Sequence, residues 1–132
     1  MEQLSIYTEN KKGTIKKILS ILTQANINVL GFVNDDRGEF GTIRLILSDT
    51  DKAYNLLGKS YICKKARVLG IELEDNPGAL EGLLSQIEEM NININYMYVG
   101  YRRENSMPVI VIHTDELEIV ENSLIKKGYK IH

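Results

Sequence analysis

The sequence repeats itself. Displacing the chain by 65 positions sets Gly13 on Gly78, Leu4 on Leu69 and Ile6 on Ile71. Asn26-Ile27-Asn28 then falls on Asn91-Ile92-Asn93 without a gap, and Arg37 and Glu39 land on Arg102 and Glu104. The apolar positions Ile15, Ile18, Leu19 and Leu22 lie over Leu80, Leu83, Leu84 and Ile87. A shared order of periodicities indicates two copies of one small module. The 132 residues are thus expected to divide into modules at 1–66 and 67–132. No linker rich in Pro, Gly or Ser separates them, which points to docked modules.

Each copy reads strand, helix, strand, strand, helix, strand. In the first, Leu4 to Thr8 is a strand, and Gly13 opens a helix to about Gln24 with apolar residues at i, i+3, i+4 and i+7. Ile27 to Asn34 alternates as a strand with Ile27, Val29 and Val33 on one side. Asp35-Asp36-Arg37-Gly38 reads as a hairpin connection. Thr42 to Ser48 is a strand with Ile43, Leu45 and Leu47 inward, Asp49 to Lys59 a helix, and Tyr61 to Lys65 the last strand. The second copy gives strands at Val68–Glu74, Ile92–Val99, Val109–His113 and Tyr129–His132, with helices at Pro77–Met90 and Glu116–Lys127. Pro108 lacks an amide donor and belongs at a strand's start. This order is a ferredoxin-like α+β fold, two tandem βαββαβ modules with antiparallel sheets and helices on one face. The open sheet face is expected to bear Leu30, Phe32, Met97 and Val99, too apolar to be left in water. Pairing of the second strands, and a homodimer, follow as expectations.

Composition excludes several classes of function. Sixteen Lys plus Arg against eighteen Asp plus Glu leave a net charge of −2, with no general attraction for nucleic acid or anionic lipid. No apolar run approaches the roughly 20 residues of a membrane span. The N-terminus lacks the features of a signal peptide, so a cytoplasmic protein is expected. The histidines His113 and His132 and the lone Cys63 have no spacing that suggests a metal site or a nucleophile–base pair. No glycine pattern fits a nucleotide loop. Neither catalysis nor a cofactor is expected.

The informative segments are the two strand-to-helix turns, Asn10-Lys11-Lys12-Gly13-Thr14 and Asp75-Asn76-Pro77-Gly78-Ala79-Leu80. A helix N-terminus presents unpaired amides and partial positive charge, and a glycine there lets a carboxylate approach the backbone. Asp75 suits an ammonium group, so the pair of features suits a free amino acid. The same residues also serve as capping elements: Asn76 as N-cap, Pro77 at the first helical position, Asp75 against the dipole. Asn26 and Asn91 are placed to end the preceding helices. Tyr96 and Tyr98 read as packing residues.

Two βαββαβ modules, each with an Asn/Asp-x-x-Gly turn, resemble tandem ACT domains over essentially the whole chain. The resemblance rests on Asp75-Asn76-Pro77-Gly78-Ala79-Leu80 followed by Asn91-Ile92-Asn93-Ile94. It implies a non-catalytic regulatory protein that binds a small amino acid between paired modules. By position it implies polar contacts from Asn10 and Asn28 in the first module and from Asp75 and Asn93 in the second. The turns add Gly13 and Thr14, and Asn76, Pro77, Gly78, Ala79 and Leu80. The first turn departs from the pattern, with Lys12 where the second has Pro77. With no enzyme attached, a separately encoded metabolic enzyme is the implied partner. The alternative from another class is a ferredoxin-like RNA-binding module. Against it, the strand Thr42–Leu47 offers no stacking aromatic and the charge is negative. An acylphosphatase-like enzyme is disfavoured because no Arg lies near Gly13 or Gly78.

Overall fold

The computed structural model describes residues 1–132, which form two compact units, one of Glu2–Ala66 and one of Arg67–His132 together with Met1. In the first, β1 (Glu2–Glu9), α1 (Thr14–Gln24), β2 (Val29–Arg37), β3 (Phe40–Leu47), α2 (Thr50–Leu57) and β4 (Ile62–Arg67) follow in order. The strands lie side by side as β4-β1-β3-β2. Leu4, Ile6, Ile43, Leu45 and Leu47 line one face and meet Ile18 and Leu22 of α1 and Ala53 and Leu57 of α2. This is the ferredoxin-like arrangement, with a core between one sheet face and two helices.

The second unit repeats it with β5 (Leu69–Glu72), α3 (Ala79–Glu89), β6 (Tyr96–Tyr101), β7 (Pro108–His113) and α4 (Leu117–Lys126). Its strands lie β6-β7-β5. The expected fourth strand is reduced to one bridge, Ile71 with Ile131, supported by main-chain bonds from Gly70 to His132 and from Glu72 to Lys130. Leu69, Ile71 and Ile112 pack against Leu83, Ile87, Val120 and Leu124. Pro108 is the first residue of β7 and is exposed.

The repeated Asn-Ile-Asn has a backbone explanation. Asn26 and Asn91 adopt φ of 59° and 57°, the left-handed conformation that ends a helix and that Asn tolerates better than most residues. After α1 the Asn26 amide donates to Thr23 O at 3.0 Å and the Ile27 amide to Leu22 O at 2.9 Å, a Schellman closure. Ile27 and Leu22 both enter the core. Gly128, at φ 93°, ends α4 in the same way, its amide donating to Ile125 O and the Tyr129 amide to Leu124 O.

Two strand readings need correction. β2 carries a bulge between Val29 and Gly31, after which Phe32 pairs with Leu45 and Val33 with Arg44. The extra residue reverses the alternation, so Phe32 shares the face of Leu45 rather than the opposite one. β6 starts only at Tyr96; Ile92, Ile94 and Met97 all pack on the core. The irregular segment before Tyr96 switches the parity, and Met97 is a core residue, not part of an open face. The hairpin is also tighter than expected. β2 and β3 pair as far as Arg37 with Phe40, leaving only Gly38 and Glu39 between them, with Gly38 at φ 84° as a two-residue connection favours.

Candidate functional site

The two strand-to-helix turns share a backbone design. After β1 the Lys11 amide donates to Glu9 O at 2.9 Å, and after β5 the Asn76 amide donates to Glu74 O at 3.0 Å. Each is a γ-turn, with Asn10 or Asp75 at its apex. A second turn follows directly. Thr14 N donates to Lys11 O at 3.2 Å and Ala79 N to Asn76 O at 3.3 Å. Gly13 (φ 86°, ψ −3°) and Gly78 (φ 88°, ψ −6°) occupy the third position, the dihedrals of a type II β-turn.

This geometry revises the capping scheme. Gly78, not Asn76, is the N-cap, and no side chain caps α3. Pro77 lies before the helix as the second residue of the type II turn, where its fixed φ is favoured. Asn76 bonds backwards instead, its Nδ2 donating to Glu74 Oε2 at 3.0 Å. Gly13 caps α1 in the same uncovered way. A Cβ built on either glycine meets nothing within 4 Å. The positive φ alone demands glycine, and the space above it is open.

Each turn borders a hollow within its own module. Beside the first lies one of about 240 Å³ lined by Asn10, Gly13, Thr14, Lys16, Asn34 and Gly41. A wider groove of about 960 Å³ runs from Lys11 to Phe40 and Ile62. Beside the second, a hollow of about 680 Å³ includes Glu72, Glu74, Asn76, Ala79, Lys127 and Lys130. Asn34 and Lys127 gave no signal in the sequence, since neither matches a like residue across the 65-residue repeat.

Chemically the turns differ. The Asn10 side chain is committed: Nδ2 donates to Asp36 Oδ1 at 2.8 Å and to Gly38 O at 3.1 Å. Asp75 is exposed, and its carboxylate makes no hydrogen bond or ion pair with the chain. Lys11 pairs with Glu9 at 2.7 Å, and this hydrogen bond holds its ammonium above the ordinary lysine value. At the floor of the second hollow, Arg102 and His132 hold the Glu72 carboxyl below the usual glutamate range.

Asn28 and Asn93 lie elsewhere in their modules. Both are exposed and both precede their strands. The Asn28 amide donates to Ser48 Oγ at 2.8 Å, beside the Val29–Leu47 end of the sheet. The first turn adjoins the other end, where Thr8 pairs with Gly41, roughly 20 Å away at about 3.3 Å per residue. Likewise Asn93 precedes the Tyr96–His113 end of β6 and β7, whereas the second turn follows Glu72, which pairs with Val109. Within one module, therefore, neither asparagine converges on the turn.

Outside the turns, His113 and Cys63 are accounted for by packing. The His113 ring stacks on Tyr96 with centroids 4.9 Å apart, and its Nδ1 meets Asn95 Nδ2 at 3.2 Å. Cys63 is half-buried, and burial pushes its thiol upward. No three His, Cys, Asp or Glu side chains gather as a metal site. No helix is long and apolar enough to cross a membrane.

Comparison with known proteins accords with this architecture. A protein from Bacteroides thetaiotaomicron is 30% identical in sequence with a TM-score of 0.88, over 99% of this chain and 90% of its own. The regulatory subunit of aspartate kinase from Thermus thermophilus, in its ligand-free form, shares the fold with a TM-score of 0.64 at 11% identity, over 95% and 90% of the two chains. The structure of aspartokinase α and β subunits aligns with a TM-score of 0.58 at 16% identity, over 94% and 90%. None of the curated protein sequences compared matches this chain. A family model described as an ACT domain pair matches residues 1–131; the chain belongs to the family of paired ACT domains.

Proposed function

We propose that this protein senses a free amino acid without catalysing a reaction, and that it acts on a separately encoded metabolic enzyme. The observation that carries the reading is the pairing, on one exposed turn, of an unpartnered carboxylate at Asp75 with uncapped amides following Gly78. A free amino acid carries an ammonium and a carboxylate on the same carbon. The turn offers a partner for each: Asp75 for the ammonium, and the amides of Leu80 and its neighbour for the carboxylate. Ala79 and Leu80 then adjoin the ligand's side chain. Asn28 and Asn93 lie at the far ends of their own modules, so within one module the turn carries this reading without them.

Membership of a regulatory domain family supports the reading. So does the shared fold with a protein described as the regulatory subunit of a kinase. Apolar side chains left exposed, such as Val99, Ile62 and Ile119, support self-association as a homodimer. A thermal-shift screen of the twenty amino acids tests the reading. A true ligand at 100 times its Kd adds about 2.7 kcal/mol of stability. If no amino acid raises the melting temperature, the turns are capping elements only.

A further inference from the structure

Asn10 and Asp75 coincide under the 65-residue repeat, sit at the apices of equivalent γ-turns, and precede equivalent glycine N-caps. Their side chains are in opposite states. Both hydrogens of the Asn10 amide group are used inside the chain, on Asp36 Oδ1 and Gly38 O. The Asn10 main-chain amide adds a bond to Glu39 O at 2.7 Å. Asp36 is itself oriented, its Oδ1 also accepting from the Gly38 amide at 2.9 Å. The tip of the β2–β3 hairpin is thereby tied to the first turn by three hydrogen bonds from Asn10, to Asp36, Gly38 and Glu39. In the second module Tyr101 stands where the first has Asp36, and no donor of the chain reaches the Asp75 carboxylate.

We infer that Asn10 and Asp36 form a latch that keeps the first turn from taking an amino acid while the second remains open. This inference rests on the amino-acid reading above. A ligand entering the small hollow beside Asn10 and Asn34 has to compete for polar groups that already satisfy one another. Asp75 presents its charge without such competition. The paired modules then contribute one binding turn per chain, and the first turn is a latent second one, opened only when the hairpin tip lets go.

Replacing Asn10 by aspartate removes both donors of the latch, sets two carboxylates against each other, and gives the first turn the charge of the second. Asp36→Asn keeps a side-chain oxygen to accept from Asn10 and serves as the control. Isothermal titration of the full chain with each of the twenty free L-amino acids reads the number bound. The expected result is one molecule per chain for the wild type and for Asp36→Asn, and two for Asn10→Asp. Should Asn10→Asp fail to fold, Asp36→Ala, which frees one hydrogen of the Asn10 amide group, should likewise raise the number to two. One molecule per chain in every folded variant overturns the latch while leaving the second turn as the site. Two in the wild type also overturns it. Binding by the opened variant alone supports the latch and removes the second turn from the reading. Binding by none of these proteins overturns both.

Discussion

Glu72 on β5 accepts a hydrogen bond from Arg102, beyond the end of β6, with 2.9 Å between Oε1 and Nη1. The same oxygen meets His132 Nε2 at 3.0 Å. One carboxylate thus gathers the start of the β6–β7 connection and His132 against β5, adding to the main-chain bonds that hold Lys130 and His132 there. The pair is more sheltered than the other ion pairs, with side-chain exposures of 26% and 14%, so it is screened less than a fully exposed pair.

The consequence is a pH dependence of known sign. Arg102 and then His132 hold the folded-state Glu72 value below the ordinary one. The group therefore stabilises the fold above the unfolded glutamate pKa of about 4.3, and that contribution disappears as pH falls through the lower folded value. Glu72→Gln should melt below the wild type at neutral pH, and the gap should close in acid. Melting curves at a series of pH values check this; a gap that is constant down to strongly acidic pH refutes the assignment.

Gly13 and Gly78 should tolerate no branched residue, although nothing crowds a Cβ there. Forcing valine into the left-handed conformation costs about 1–2 kcal/mol. Gly78→Val should also abolish most of the amino-acid-dependent rise in melting temperature, since it misplaces the amides of the open turn. Gly13→Val should cost similar stability but affect ligand-induced stabilisation less. Paired thermal shifts with and without ligand measure the two effects separately, and the opposite ranking transfers the main site to the first turn.

Lys12 stands where the second module has Pro77, at the second position of a type II turn. Proline there reduces the freedom of the unfolded chain without removing a main-chain bond, because the Lys12 amide donates to nothing in the turn. Lys12→Pro should raise stability by about 0.4–1 kcal/mol, and Pro77→Ala should lower it by a similar amount. Urea denaturation of both variants tests the equivalence of the turns; destabilisation by Lys12→Pro would show that they differ.

Asn26 sits at φ 59° in the closure of α1. Asn26→Gly should be neutral or slightly stabilising, whereas Asn26→Val should cost on the order of 1–2 kcal/mol. Chemical denaturation of the two variants reads the difference directly. Equal stability would mean that the helix end relaxes to another conformation.

The sequence by itself determined the tandem fold and the turns, because local chemistry dictates both. Apolar residues at helical and alternating spacing assign the elements, and residues suited to positive φ mark where the chain must break: Gly13, Asn26, Gly78 and Asn91 recur for that backbone reason. Side-chain facing in β2 and β6 was decided by tertiary structure, since one bulged residue at Val29–Gly31 reverses a period-two pattern without leaving a mark on composition. The same holds for the site. Asn10 and Asp75 look interchangeable in sequence, and Pro77 looks like a first helical residue. Only the folded hairpin brings Asp36, 26 positions away, onto Asn10, and leaves Asp75 without a partner. Hydrogen bonds between distant segments depend on register and strand order, and no local propensity encodes which side chain they will consume.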